Sequence, residues 1–287
     1  MTARILIIAG SDSGGGAGIQ ADIKTVTMLG GHAMTAVTAI TAQNTLGVTA
    51  VHPIPTDMVI AQMDAVISDI GVDAIKIGMI GSADTANAVA DYLTSSLREA
   101  QRRGNPRSGS QSGLPRFHFV EVHPERLQGS RRARNDGGVP IVFDPVMVAT
   151  SGSILADAQT IAAFERLMRL ATVTTPNLPE LAALGGEASM VGPTLIKGGH
   201  ADGDIIIDRL IDGSAEVARW EGARIDTTST HGTGCTLAGA IACGLGQGLS
   251  LTDAIERARA FVRAALTAAP GLGSGHGPMG HQAVRDL

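Results

Sequence analysis

A glycine-rich segment late in the sequence has the composition of an anion-binding loop. Residues Thr230–Thr236 read THGTGCT and lead into an apolar stretch of helical periodicity. The free N–H groups at such a helix start, at Gly232, Thr233 and Gly234, would converge on one point, which predicts a cradle for a phosphate or an oxyanion. Cys235 stands in the first turn, where we expect its thiolate to be favoured. The alternative is that the glycines only permit close packing.

A second glycine-rich segment, Gly10–Gly18, follows a short apolar run. Glycines let backbone amides approach a ligand closely, and the next helix offers its positive N-terminus. The segment does not match the dinucleotide-binding GxGxxG pattern, because counting from Gly14 puts Ile19 where the third glycine is required. It also lacks the Gly-Lys-Ser/Thr of a Walker A loop. It is therefore either an anion site or only a tight turn.

Oxygen-bearing side chains follow two further apolar runs. Asp144 stands in FDPVM, and Asn177 and Glu180 stand in TPNLPE. Such hard ligands suit Mg²⁺, which proteins hold through few groups, with water and phosphates completing the shell. Asn and Asp also cap helices, so N-capping is the alternative. Two anion cradles beside a magnesium site describe phosphoryl transfer, which is accelerated mainly by positioning and charge neutralisation.

An amide side chain, Gln43, stands in the segment Thr41–Thr45 at the end of another apolar run. A carboxamide offers one donor group and one acceptor, which matches the edge of an aminopyrimidine. A polar strand end that makes only turn hydrogen bonds is the alternative.

The elements that must position these residues alternate between short apolar runs and segments of helical period. The pattern predicts strands at 4–9, 35–41, 74–77, 141–143, 171–174, 194–196 and 205–210, and helices at 17–29, 57–70, 83–98, 157–170, 233–247 and 251–268. This alternation implies right-handed crossovers and a mostly parallel sheet covered on both faces. The sequence thus predicts a three-layer α/β/α sandwich, in which ligands gather outside the carboxyl ends of the strands.

Composition and charge exclude several classes of protein. The 287 residues, 44% hydrophobic and 17% charged, can bury a large core in one or two domains and do not resemble a disordered chain. No apolar run approaches the roughly 20 residues of a membrane helix, and the start lacks the regions of a signal peptide, so we expect no membrane partner and a cytoplasmic chain. A net charge of −5 and few aromatic residues argue against a nucleic-acid partner. Cys235 and Cys243 are too far apart on a helix for a disulfide.

One stretch, at about 99–138, interrupts the alternation. It is rich in Gly, Ser, Pro and Arg, and it has little periodicity except at Phe117–Val122. Nine arginines stand against four acidic residues between Leu97 and Val139, so this stretch is basic in an acidic chain. We expect a surface insert in an otherwise single domain spanning 1–287, with a basic partner-binding segment as the alternative. Because it joins a helix to a strand start, it should emerge at the amino-end side of the sheet.

Seven motifs, in order, carry a family resemblance: AGSDSGGGAGIQADIKT, TAQNT, KIGM, DPVM, TPNLPE, IKGGH and THGTGCTL. Together they closely resemble the hydroxymethylpyrimidine/phosphomethylpyrimidine kinases of thiamine biosynthesis, over about 1–97 and 139–287. The resemblance implies a ribokinase-like sandwich that is usually a homodimer. It also implies that ATP and Mg²⁺ phosphorylate 4-amino-5-hydroxymethyl-2-methylpyrimidine and then its monophosphate.

The same resemblance implies roles for individual residues. Gln43 would hold the amino group and ring nitrogen of the pyrimidine, in a pocket completed by Asp22, Gly10 and Met79. Asn177 and Glu180 would organise Mg²⁺ through water, with Asp144 near the phosphates. The turn Lys197-Gly198-Gly199 would lie by the nucleotide, and the amides of Gly232, Thr233, Gly234 and Cys235 would form the anion hole.

Cys235 stands where many ribokinase-like enzymes carry a catalytic Asp. A thiolate is a poor base for an alcohol, whereas the second substrate is already a phosphate with a pKa of about 6 and needs no base. A loose transition state asks little of a base at the first step. We therefore hypothesise that Cys235 is a weak base or merely the anion-hole residue; simple packing is the alternative.

Two departures and three competing functions stay open. The segment from Pro179 to Leu195 is short where relatives carry another helix, although a parallel crossover can still close. Loss of that helix could uncover apolar surface. The nearest rival function is a pyridoxal/pyridoxamine kinase, against which Gln43 and Met79 argue. A catalytically impaired ligand-binding relative is the second, and an NAD oxidoreductase, disfavoured by the glycine spacing, is the third.

Overall fold

A computed structural model describes residues 2–103, 138–148, 152 and 155–285. Within them, nine strands form one sheet, with bounds β1 Arg4–Asp12, β2 His32–Asn44, β3 Gly47–Pro53, β4 Ala74–Ile77, β5 Ile141–Phe143, β6 Val173–Thr174, β7 Thr194–Ile196, β8 Ile205–Asp212 and β9 Ala215–Ala223. The strand order is β3-β2-β1-β4-β5-β6-β7-β8-β9. The six strands from β2 to β7 in this order are parallel, and antiparallel strands extend both edges.

The described helices lie on the two faces of this sheet. Their bounds are α1 Gly18–Met28, α2 Thr56–Asp69, α3 Ala83–Arg103, α4 Ala158–Met168, α5 Leu178–Ala183, α6 Thr233–Gly246 and α7 Leu251–Thr267. None of the helices in these described ranges combines the length and the hydropathy needed to cross a bilayer.

The central strand β1 divides the core into two halves. Its odd-numbered Ile5 and Ile7 pack with residues of α1, α6 and α7, whereas Leu6 and Ile8 pack with residues of α2, α3 and α4. All four side chains are fully buried because successive side chains of a strand point to opposite faces. The expected three-layer α/β/α sandwich with a mostly parallel sheet is therefore confirmed.

The predicted elements match the structure closely, and the exceptions lie mainly at the edges. The strands at 74–77, 141–143 and 194–196 are placed as predicted, whereas β3, β9 and the short α5 were not predicted. Both missed strands are exposed edge strands, so they lack the continuous apolar run of a buried strand. Residues 104–137, which include Phe117–Val122 and most of the basic insert, lie outside the described residues.

The short connection between β6 and β7 closes without an additional long helix. It consists of α5, a single 3-10 turn at Glu187–Ser189 and a few connecting residues. Met190 and Val191 are partly buried against the core, so they limit the apolar surface that a shortened crossover exposes.

The carboxyl ends of the parallel strands form one rim of the sheet. Asp12 ends β1, Asn44 ends β2, and Asp144 follows β5. The loops after β6 and β7 leave at the same rim, because parallel strands all point the same way. This rim is where the predicted chemical residues meet.

Candidate active site

A cavity of about 940 Å³ opens at the carboxyl rim of the sheet. It is lined by most of the residues to which the sequence assigned a function, namely Gly10, Gln43, Met79, Asp144, Asn177, Glu180, Lys197, Gly232, Thr233, Gly234 and Cys235. Two of the expected residues, Asp22 and Gly198, are not part of this lining. Segments separated by up to 225 positions, from Gly10 to Cys235, thus share one site, as phosphoryl transfer between two bound molecules requires.

The start of α6 lies in the cavity wall and carries backbone amides that the helix does not use. The first regular backbone bond of the helix runs from Thr236 N–H to Gly232 O (2.9 Å), so the amides of Gly234 and Cys235 precede it. Gly232 has a φ of +83°, and a Cβ there would lie 1.9 Å from Gly16 O. Only glycine therefore allows the two loops to approach this closely. The anion cradle stays a prediction, and the unused N–H groups of Gly234 and Cys235 are compatible with it.

The first glycine-rich loop is folded around an internal carboxylate. Asp12 Oδ1 accepts from Gly14 N (2.8 Å), and Asp12 Oδ2 accepts from Gly16 N (2.9 Å) and Ala17 N (2.8 Å). Gly15 N donates to Asp12 O (3.0 Å). Because these four amides are occupied, the loop is a tight turn rather than the second anion cradle that the glycines suggested. Its place on the rim still shapes the cavity.

Asp12 also holds the loop that precedes the cradle. His231 Nε2 lies 2.9 Å from Asp12 Oδ2 and 3.1 Å from Gln43 Nε2. Burial opposes ionisation of Asp12, but hydrogen bonds from His231, Ala17 and Gly14 hold its pKa below the usual value. Sequence reasoning assigned no role to Asp12 or His231. The only available signal was their position inside two glycine-rich motifs.

Lys197 lies beside the cradle and between two carboxylates. Its Nζ is 2.8 Å from Asp144 Oδ1 and 3.8 Å from Glu180 Oε2, and it is 3.3 Å from where a Cβ of Gly234 would be. Burial opposes charge on Asp144, yet Lys197 and Lys76 lower its pKa. Burial raises the pKa of Glu180. A cation is thus fixed next to the free amides, where an anionic group would bind.

Asn177 and Glu180 form a capping box at the start of α5. Asn177 Oδ1 accepts from Glu180 N (2.8 Å), and Glu180 Oε2 accepts from Asn177 N (2.8 Å). Asn177 is therefore the N-cap of α5, as the capping alternative predicts, and Glu180 is its partner at the third helical position; both residues still line the cavity. A capping carboxylate retains lone pairs for further partners.

The charges at this end of the cavity fit a divalent cation. Asp144 and Glu180 bring two carboxylates against the single ammonium of Lys197, which leaves acidic oxygens beside the anion cradle. Within the described ranges, no group of three or more His, Cys, Asp or Glu side chains could hold a metal alone. A cation here would need phosphate and water oxygens as well, which is the usual coordination of Mg²⁺.

Asp22 lies in the core, in contrast to the expectation that it completes the pocket. Its carboxylate accepts a 2.7 Å hydrogen bond from Lys76 Nζ, and both side chains are fully buried. Burial raises the pKa of Asp22 to about 6, against the effect of Lys76, so the carboxylate is largely ionised at neutral pH. The lysine sits on β4, and an ammonium at this depth needs a buried counter-charge.

Cys235 carries a neutral thiol, which corrects the expectation of a favoured thiolate. Its pKa is raised to about 11, mainly by burial; Lys76 opposes this rise, and Asp22 and Asp144 contribute to it. The positive end of α6 does not offset the rise in the thiol pKa that the loss of water around the sulfur causes. Cys235 therefore lacks the charge of a general base at neutral pH.

Hydrogen bonds to Asp208 and from Arg224 hold the turn at Lys197-Gly198-Gly199. Gly198 N donates to Asp208 Oδ1 (2.9 Å), and a Cβ on Gly198 would lie 2.0 Å from Ile207 O, which is why this glycine does not face the cavity. Arg224 donates to the carbonyls of the same loop, at Gly199, Ala201 and Gly203. Sequence reasoning missed Asp208 and Arg224, since nothing in their neighbours marks them.

Comparisons with known proteins show the family of this chain. The family model described as phosphomethylpyrimidine kinase matches residues 12–101 and 130–280. The hydroxymethylpyrimidine/phosphomethylpyrimidine kinase of Rhizobium meliloti is 43% identical, over 98% of this chain and 97% of that protein. The thiamine biosynthesis bifunctional protein ThiED of Geobacter sulfurreducens is 42% identical, over 96% of this chain but only 52% of that protein. The pyridoxal kinase of Bacillus subtilis, solved as an ADP complex, aligns with a TM-score of 0.75 and 30% identity, covering 99% of this chain and 98% of that one.

We predict that Lys76→Met lowers the free energy of unfolding by about 3–5 kcal/mol, because Asp22 would remain buried without its partner. Urea unfolding followed by circular dichroism measures the change. The matched control is the double variant Lys76→Met/Asp22→Leu, which removes both charges and should recover most of the loss. A loss below about 1 kcal/mol in the single variant would show that Asp22 can stay buried at little cost without the charge of Lys76.

Proposed function

This chain belongs to the phosphomethylpyrimidine kinase family, and from this premise we propose that it phosphorylates 4-amino-5-hydroxymethyl-2-methylpyrimidine and then the resulting monophosphate. ATP is the phosphoryl donor, and the diphosphate enters thiamine biosynthesis. The observation that carries the proposal is that an amide suited to the pyrimidine, Gln43, and an anion cradle, 232–235, line the same cavity. His231, which precedes the cradle, lies 3.1 Å from the Gln43 amide.

The pyrimidine end of the cavity combines one polar group with apolar contacts. Gln43 offers a donor and an acceptor to the amino group and ring nitrogen of the substrate. Met79 and Gly10 lie together on the lining, and a Cβ on Gly10 would be 3.1 Å from Met79 Sδ. The glycine therefore leaves space for a flat ring against the thioether. This combination suits a small aminopyrimidine.

The phosphoryl end of the cavity supplies positive potential. The amides of Gly234 and Cys235 and the ammonium of Lys197 would face the oxygens of the group in transit, which neutralises charge as it develops. The acceptor oxygen forms a bond to the γ-phosphorus, the bridging bond to the β-phosphate breaks, and ADP leaves. Asp144 keeps Lys197 in place through its 2.8 Å contact.

Mg²⁺ would bind at Asp144 and Glu180, with phosphate oxygens as further ligands. When bound, it would draw charge from the phosphates and fix their orientation. Asn177 holds the Glu180 backbone through the capping box, so its contribution to the metal is positional.

The nucleotide would lie along the loop held by Arg224. Gly199, His200 and Arg224 line the cavity, together with Lys197. The ADP complex of the similar pyridoxal kinase supports a nucleotide in this fold. A cavity of about 940 Å³ has room for a nucleotide and a small acceptor together.

We propose that Cys235 acts through its backbone amide and not as a base. A thiol whose pKa is raised to about 11 does not accept a proton from an alcohol at neutral pH. The alcohol proton can leave late, after the bond to phosphorus is well advanced, because the transition state is loose. The monophosphate acceptor is already ionised.

The rival functions find less support. A pyridoxal kinase shares this fold at 30% identity, but Gln43 and Met79 suit an aminopyrimidine, and the family model and the more similar relatives carry the pyrimidine name. A catalytically impaired relative would not need the intact set of Asp144, Glu180 and Lys197. The absence of a nucleic-acid partner and a cytoplasmic location stay predictions from sequence.

The experiment that tests the proposed function is a coupled ADP-release assay with three acceptors. We expect turnover on hydroxymethylpyrimidine and on its monophosphate, dependence on Mg²⁺, and at least about tenfold lower kcat/KM on pyridoxal. A higher kcat/KM on pyridoxal would support the rival kinase. No ADP release above the rate without acceptor would support an impaired relative.

We predict that Cys235→Ala lowers both phosphorylation rates by less than about tenfold, because the backbone amide remains. Single-turnover rates with each acceptor measure the effect. Cys243→Ala, in the same helix but away from the cavity lining, is the matched control. A loss of more than about a hundredfold confined to the alcohol acceptor would instead identify the thiol as a general base.

We also propose that the chain forms a homodimer through the β2–β3 edge of the sheet. Leu46 and Val51 are 69% and 43% exposed there, which is an apolar surface at β3, the last strand at this end of the described sheet. Burial against a second copy would remove it from water. Light scattering should give twice the chain mass, and Val51→Glu should shift the mass toward the monomer. A monomeric mass at micromolar concentration would contradict the proposal.

A further inference from the structure

The amide of Gln43 lies between two hydrogen-bonding side chains. Its Nε2 is 3.1 Å from His231 Nε2, and its Oε1 is 3.1 Å from Thr41 Oγ1. The backbone of the same residue is fixed, since Ser13 Oγ donates to Gln43 O (2.8 Å) and accepts from Gln43 N (2.8 Å). Only the terminal amide is therefore free to choose an orientation.

The contact with His231 requires an acceptor on Gln43. An imidazole Nε2 carries either one proton or one lone pair. Asp12 Oδ2 lies 2.9 Å from His231 Nε2 and belongs to an ionised carboxylate. The Nε2 proton is therefore directed at Asp12, and a second neighbour of Nε2 can share this proton only as an acceptor. An amide N–H opposite that proton would place two donors together. An amide oxygen at the same position would accept.

The contact with Thr41 leads independently to the same orientation. A hydroxyl has one proton, and Thr41 Oγ1 donates it to Ser11 O at 2.8 Å. Toward Gln43, 3.1 Å away, the hydroxyl therefore presents a lone pair. An amide N–H at this position would donate to it, whereas an amide oxygen would face another acceptor. A half-turn of the amide exchanges its nitrogen and oxygen and satisfies both contacts at once.

We propose that His231 and Thr41 are positioning residues that fix the Gln43 amide with its oxygen toward His231 and its nitrogen toward Thr41. Asp12 sets this orientation, because it takes the proton of the imidazole. One lone pair of Oε1 and one hydrogen of Nε2 then remain for a ligand. The inference rests on the proposed function only in the choice of ligand.

A fixed amide discriminates between substrates of opposite hydrogen-bond polarity. A 4-aminopyrimidine offers an N–H donor beside a ring-nitrogen acceptor, which pair with the remaining lone pair and hydrogen. A pyrimidin-4-one offers a carbonyl acceptor beside an N–H donor, the reverse arrangement. It could pair only if the amide turned, and turning would break the bonds to His231 and Thr41. The network thus selects the amino compound over its oxo analogue.

The experiment measures binding of two probes by calorimetry without ATP, so that it does not depend on catalysis. The probes are 4-amino-5-hydroxymethyl-2-methylpyrimidine and 5-hydroxymethyl-2-methylpyrimidin-4-one. We expect the full chain to bind the amino probe at least about tenfold more tightly, since the oxo probe leaves buried polar groups unpaired. In His231→Leu, the amide is free to turn, and this ratio should fall at least about fivefold.

Thr41→Val releases the amide from the other side and should lower the same ratio, which keeps the test decisive if His231→Leu does not fold. His32→Leu, at the exposed start of β2, is the matched control and should keep the ratio. A purely structural role of His231 would weaken both probes equally. An unchanged ratio in both folded variants, or a wild-type chain that binds the two probes equally, would overturn the inference. Lack of kinase activity with an intact binding ratio would overturn only the proposed function.

Discussion

The carboxylate of Asp12 is the interaction on which the rest of the site depends. It accepts hydrogen bonds from the amides of Gly14, Gly16 and Ala17 and from the imidazole of His231. One buried anion thus holds together two loops that are over 200 positions apart in the sequence. Without it, four polar groups would be left unpaired next to the core, which is costly. The glycines of both loops are there because side chains would keep the backbones from this approach.

Charged side chains of opposite sign are paired both in the core below the cavity and on its lining. Lys76 is neutralised by Asp22 inside the core, while Lys197 is only balanced by Asp144 and Glu180 at the cavity surface. The free amides at the start of α6 carry no counter-charge at all. The cavity lining therefore combines unused backbone amides, a lysine and carboxylate oxygens. A transferring phosphoryl group needs these three in the same place.

Prediction from sequence was accurate for the buried strands and helices. It was less accurate for residues whose motif fits both a structural and a ligand-binding role. The apolar runs of β4, β5 and β7 were placed correctly because a central parallel strand is buried on both faces. The edge strands β3 and β9 carry no such run. Asn177 and Glu180, which were expected at a metal, also form a capping box, and the first glycine loop, for which an anion site and a tight turn were both open, folds around Asp12. In each case the short motif is compatible with both outcomes.

The sequence by itself determined the layered α/β architecture, the family and most of the residues that line the cavity, because these follow from apolar periodicity and from ordered local motifs. Only the tertiary structure decided what surrounds each group. Burial made Cys235 a neutral thiol, and the pairing with Lys76 took Asp22 into the core. The roles of Asp12 and His231 became visible only when both met Gln43. Desolvation and hydrogen-bond pairing depend on neighbours brought together from distant parts of the chain, which no local pattern records.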